Sequence, residues 1–148
     1  MRWAKATEER VLRVGMNLRE EDKTEVWLSH QATPMEAVMD SWANSDLCRC
    51  IETGDGVPVG LTGLNGDRIW MLGTRELTAT RSRRLQLCKE GRGWVEHCLE
   101  AAGMAIGNDV YSKNKASIRW LKHLGFTVAP PRPMGPSAAL FCEFWRES

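Results

Sequence analysis

The chain has little that would tie it to a membrane, a metal or a nucleic acid. No apolar run in its 148 residues extends beyond a few positions, so neither a membrane-spanning helix nor a signal peptide is expected. Twenty Lys and Arg against 19 Asp and Glu leave a formal charge of +1, which gives no global attraction to nucleic acid or to an anionic membrane. The three His residues are isolated, and Cys48, Cys50, Cys88, Cys98 and Cys142 lack the spacing of a zinc site. No metal is therefore expected, and the thiols read as reduced, buried small hydrophobes. Tyrosine occurs once and phenylalanine three times, so seven tryptophans carry most of the aromatic content. There is no internal repeat, linker or low-complexity segment. What remains is an ordinary mixture, 43% hydrophobic and 26% charged, long enough for one domain over residues 1–148 with a real core. Such a chain is expected to stay in a cytosol or be packaged from one.

The first third reads as helical after an edge strand at residues 2–6. Thr7 can cap a helix whose apolar positions are Val11, Leu12, Val14 and Met16, and residues 20–30 continue as a second helix with an acidic start. Thr33-Pro34-Met35-Glu36 combines a cap, a first-turn proline and a Glu able to close a capping box. A β-meander follows: residues 47–51 alternate, Gly54-Asp55-Gly56 is a hairpin turn, residues 57–61 return, and Asn65-Gly66-Asp67 turns again into residues 68–72. The longest helix then carries a stripe of Leu87, Cys88, Gly91, Val95, Cys98, Leu99 and Ala102. Gly91 and Gly93 fall inside that pattern and read as close-packing positions, and Gly103 ends the helix. A strand at residues 109–112 leads into a short amphipathic helix capped by Asn114, with Ile118, Leu121 and Leu124 on one side. Gly125 is suited to the left-handed turn that ends it before residues 126–128 extend. A last strand, residues 140–145, returns after a Pro-rich loop.

The strand, the Asn114-x-x-Ser117-Ile118 helix and its Leu124-Gly125-Phe126 exit resemble the closing half of the GCN5-related N-acetyltransferase (GNAT) fold. The helices followed by three antiparallel strands resemble its front half. This similarity implies an α/β (α+β) architecture with a mixed, mostly antiparallel central sheet of about six to seven strands flanked by four to five helices. Segments spread over nearly the whole chain also look like a small phage-encoded GNAT-like family named after a T7-type phage's gene 13 product. The most specific are Leu72-Gly73-Thr74-x-Glu76-Leu77 and Ser117-Ile118-Arg119-Trp120-Leu121. That resemblance implies a phage protein of poorly defined role.

The family resemblance implies acetyl-CoA as acyl donor, held by backbone of Met71, Leu72 and Gly73, with Arg81, Arg83 or Arg84 at the phosphates and Asn114 and Ser117 along the pantetheine arm. Two departures weigh against catalysis. The segment after Leu72 has one glycine where the family's pyrophosphate loop has a pair, and Leu121 stands where the family often has an acidic Tyr. Asp67 and Glu76 flank the strand at residues 68–72 and are candidate general bases by location, though both also suit a turn or a cap. His30, His97 and His123 read as surface residues. Trp27, Trp42, Trp70 and Trp94 fall on apolar faces and read as core, whereas Trp3, Trp120 and Trp145 could form an exposed interface. Three functions follow from this reading: an N-acetyltransferase, a catalytically silent GNAT-fold component of phage particles or their assembly, and a binder of a host protein. The oligomeric state is left open.

Overall fold

A computed structural model describes residues 1–148. Strand β1 (Arg2–Lys5) is followed by helices α1 (Glu8–Met16), α2 (Glu20–His30) and α3 (Pro34–Asn44). Helices α1 and α3 start where the sequence supplies a side-chain acceptor for the free N–H groups, whereas α2, with Arg19 at its cap position, begins without one. Thr7 Oγ1 accepts from Arg10 N, and Thr33 and Glu36 form the reciprocal capping box. The meander β2 (Leu47–Glu52), β3 (Pro58–Asn65) and β4 (Arg68–Gly73) pairs antiparallel in sequence order. A 3-10 turn, Arg75–Thr78, leads into the long helix α4 (Arg81–Ala102), which ends at Gly103 with φ 65°. Then come β5 (Ile106–Tyr111), α5 (Lys115–His123), β6 (Thr127–Val128), β7 (Arg132–Met134) and β8 (Ala139–Arg146).

The strands form one eight-stranded sheet, ordered β1-β2-β3-β4-β5-β8-β6, with β7 also paired to β8. All pairings are antiparallel except β4 with β5. One face carries Cys50, Leu61 and Leu72 beneath Val11 and Val14 of α1 and Val38 of α3. The opposite face carries Leu64, Ile69, Ile106 and Val110 beneath Trp94, Val95 and Leu99 of α4 and Leu121 of α5. Alternation along each strand splits the core between the two faces, so both are covered. The five cysteines are free, and burial pushes the Cys50 and Cys98 thiols up to about 12.

Several expectations change in detail. The Pro-rich segment contributes β7, because Pro133 sits on an outer strand where a missing N–H costs no ladder bond. Gly91 is a close-packing position, since a Cβ there would lie 3.3 Å from Trp120 and 3.4 Å from Leu124, but Gly93 faces open space. Met16 and Trp27 are exposed, at 72% and 55%, despite their apolar character. The reverse holds for Trp3 and Trp120, which pack against the core rather than form an outer cluster. Trp3 lies against Trp94 with ring centroids 5.9 Å apart.

Candidate active site in the gap between β4 and β5

The parallel pair β4–β5 touches in register only at Arg68↔Gly107. Beyond that point the two strands part, and a side chain replaces the ladder. Asn108 Nδ2 donates to the Ile69 carbonyl at 3.0 Å, while its Oδ1 accepts from Arg68 Nη1 at 2.9 Å and from the Asp109 N–H at 2.8 Å. Gly107 holds the hinge of this fork, because a Cβ there would sit 2.1 Å from the Phe144 carbonyl oxygen. The fork opens a cavity of about 740 Å³ that reaches through the sheet. Asp22 and Glu25 of α2 line it on one side, and Gly91 and Trp120 on the other.

Register fixes which backbone groups face this gap. Thr74 N donates to the Val59 carbonyl, so in β4 the groups of Ile69, Met71 and Gly73 point away from β3. Asn108 satisfies Ile69. At Gly73 the N–H donates to Asp22 Oδ2 at 2.8 Å and the carbonyl accepts from Arg19 N at 2.9 Å. Met71 alone of the three keeps its edge toward the gap without a ladder partner. On β5 the Tyr111 N–H donates to Glu25 Oε1 at 2.9 Å, and Asn114 Nδ2 donates to the same oxygen at 3.4 Å. Asp22 and Glu25, three residues apart on α2, thus bridge the parted ends of the two strands.

Their electrostatics differ. Burial raises the Asp22 carboxyl above its ordinary value, and the Arg19 guanidinium at 2.8 Å offsets part of this, together with the Gly73 N–H. Glu25 has no cation paired with it. Burial pushes its carboxyl up to about 7, the Tyr111 N–H opposes the rise, and the Asp22 charge adds to it. Glu25 Oε2 accepts no hydrogen bond and is not sealed from solvent. The site therefore presents one anchored carboxylate oxygen and one free one, in a group poised near neutrality.

Of the residues singled out from the sequence, Met71, Leu72 and Ser117 line the cavity. Asn114 caps α5 through Oδ1 and reaches Glu25 through Nδ2. Gly73 is buried, its backbone bonded to the entry of α2. Arg81, Arg83 and Arg84 stand at the start of α4. Arg83 is bonded to the Glu76 carbonyl and carboxylate, and Arg84 to the Thr78 carbonyl. Glu76 is exposed in that ion pair, and Asp67 lies in the exposed β3–β4 turn; neither lines the cavity. Sequence reasoning missed Asp22 and Glu25. Their acidic run at the start of a helix suits the helix dipole, which hid the second signal: the i, i+3 spacing puts both on one face.

No protein-family model matches the sequence, and no curated protein matches it. Solved structures do resemble the fold. A GCN5-related N-acetyltransferase from Kribbella flavida superposes with a TM-score of 0.68 at 14% identity, covering 99% of this chain and 97% of that one. Ard1 from Thermoplasma volcanium gives 0.66 at 14% identity over 98% and 95%. A Bacillus subtilis acetyltransferase, solved in complex with CoA, gives 0.64 at 10% identity over 99% and 97%. At such identities the likeness concerns architecture alone. With its strand order, its single parallel pair and the gap beside that pair, the chain has the GCN5-related N-acetyltransferase fold.

Proposed function

We propose that the protein is an acyl-CoA-dependent N-acyltransferase, with acetyl-CoA as donor and the β4–β5 gap as the donor site. The observation that carries this reading is the fork itself. Met71 leaves an N–H and a carbonyl free on the gap side of β4, at a through-sheet cavity large enough for an extended, amide-containing arm. Leu72 and Ser117 would flank that arm, and Arg81, Arg83 and Arg84 supply positive charge at the start of α4. An acyl group held in the gap is reached from the α2 side by an amine, so donor and acceptor meet without a covalent enzyme intermediate. Hydrogen exchange with and without acetyl-CoA tests this: the Met71 amide should exchange more slowly with ligand present. Unchanged exchange there at saturating acetyl-CoA would remove the gap as the donor site.

A second reading is favoured by what already occupies the gap. Asp22, Arg19 and Glu25 take the Gly73 and Tyr111 backbone groups that a ligand would otherwise meet. On that reading the fold is a silent scaffold. The resemblance to the phage gene 13 family then suggests a component of phage particles or a binder of a host protein. Co-purification with particles, or a host partner captured from infected cells, is its expected signature.

A further inference from the structure

We propose that Glu25 is the proton acceptor of this site, receiving the proton that the acceptor amine must lose. The inference rests on the acyltransfer reading and assigns a role that neither Asp67 nor Glu76 can take from outside the cavity.

The geometry divides the carboxylate into two parts. Oε1 is fixed by the Tyr111 N–H and by Asn114 Nδ2, one from each element that follows the fork on the β5 side. Oε2 is unpartnered, in a residue that lines the gap. A carboxylate tethered this way keeps one lone-pair edge directed by the scaffold and free for a proton, which is the arrangement a general base requires. Asp22, one turn earlier, cannot do the same work. Its Oδ2 is ion-paired with Arg19 and accepts from the Gly73 N–H, so taking up a proton there would weaken that pair, a cost Glu25 does not carry. The other charged groups on the cavity wall are His30 from the end of α2, Asp40 from α3, Arg68 from β4 and Asp109 from β5. Of these, Arg68 and Asp109 pair with each other at 3.7 Å, and Asp109 also with Arg132 at 3.5 Å.

In the reaction the incoming ammonium gives one proton to Glu25 Oε2. The freed nitrogen lone pair forms the C–N bond to the thioester carbonyl carbon. The C–S bond breaks, and the thiolate departs with its electron pair and takes the second amine proton through water. Leu121 supplies no acid to that thiolate, so the chain relies on water there.

The test measures two quantities on the full chain. Acetyl-CoA affinity is measured by calorimetry, and thiol release from acetyl-CoA is followed with lysine amide and with spermidine as acceptors. Glu25→Gln keeps the shape and the Oε1 acceptor, so its acetyl-CoA affinity should match the wild type while amine-dependent thiol release falls about a hundredfold or more. The wild-type rate should rise with pH to a plateau with a midpoint near 7, and Glu25→Gln should lose that limb. Glu25→Asp, shorter but ionisable, should retain the limb with an intermediate rate. Equal rates and pH profiles in wild type and Glu25→Gln, with acetyl-CoA bound in both, would overturn the assignment alone. A wild type that binds acetyl-CoA but releases no thiol with either amine would also overturn it. Absence of acetyl-CoA binding in the wild type would instead remove the donor-site reading beneath it.

Discussion

Replacing Glu25 by Gln should make the protein more stable at pH 8 and leave it nearly unchanged at pH 4. The folded carboxyl titrates at about 7 against an ordinary value of 4.5, so the folded state holds its proton more tightly than the unfolded chain does. Between those two values the folded state binds more protons, and stability therefore falls as pH rises through the window. Below it the contribution is zero; above about 7 the full penalty is present. A difference of about 2.5 in pKa corresponds to about 3 kcal/mol at the upper end of the window. Gln keeps an oxygen for the Tyr111 N–H and carries no charge to desolvate, so the variant escapes this penalty. Asp22 is shifted in the same direction and is present in both proteins, which is why the difference between the two curves is the quantity to read. Urea unfolding at intervals from pH 4 to pH 8 supplies it. The advantage of Glu25→Gln should grow from near zero to a few kcal/mol, most of it between pH 5 and pH 7. A constant difference across that range would show that the carboxyl is not desolvated in the folded state and would refute the electrostatic picture of the gap.

Other perturbations probe the frame around the gap. Gly107→Ala should destabilise by about 1–3 kcal/mol or more in thermal unfolding, because its Cβ meets the Phe144 carbonyl at 2.1 Å and the β5–β8 pairing must yield. Thr62→Val should cost about 1–3 kcal/mol: the hydroxyl accepts from Trp94 Nε1 at 2.9 Å and donates to the Trp70 carbonyl at 2.8 Å, and removing it strands a buried indole N–H. Thr33→Ala should lower stability by about 1 kcal/mol through loss of the capping box, with acetyl-CoA affinity unchanged. Reversing the charge of Arg83 and Arg84 together should weaken acetyl-CoA binding about tenfold or more, since a charged hydrogen bond contributes about 1.5–3 kcal/mol. Unaltered affinity would remove both from the donor site.

Much of the fold was legible because local rules and tertiary structure agree in it. The Thr33 capping box, the Gly66 turn, the Gly103 stop and the Asn114 cap each state a boundary in the residues that form it. Burial of individual tryptophans was less legible. Trp27 follows Val26 on α2 yet points outward, whereas Trp120 sits among charges in the sequence and fills the groove left by Gly91. Which face of a short helix is covered depends on what packs against it, and periodicity over few residues does not fix that. The site was half legible. Met71, Leu72 and Ser117 came from the family pattern and do line the gap. Asp22 and Glu25 act through contacts with Gly73 and Tyr111, some 50 and 86 positions away in the chain, and no local pattern encodes such pairings. The parting of β4 from β5 is equally non-local, since it depends on Asn108 turning its side chain into the place of a strand partner.

The most direct test of the donor site is calorimetric titration of the purified protein with acetyl-CoA, at protein concentrations high enough to register even weak binding. The acyltransferase account expects one-to-one binding with Kd on the order of micromolar, about −8 kcal/mol. No heat of binding up to about millimolar acetyl-CoA, where only about −4 kcal/mol would be needed, would contradict it and leave the fold as a scaffold.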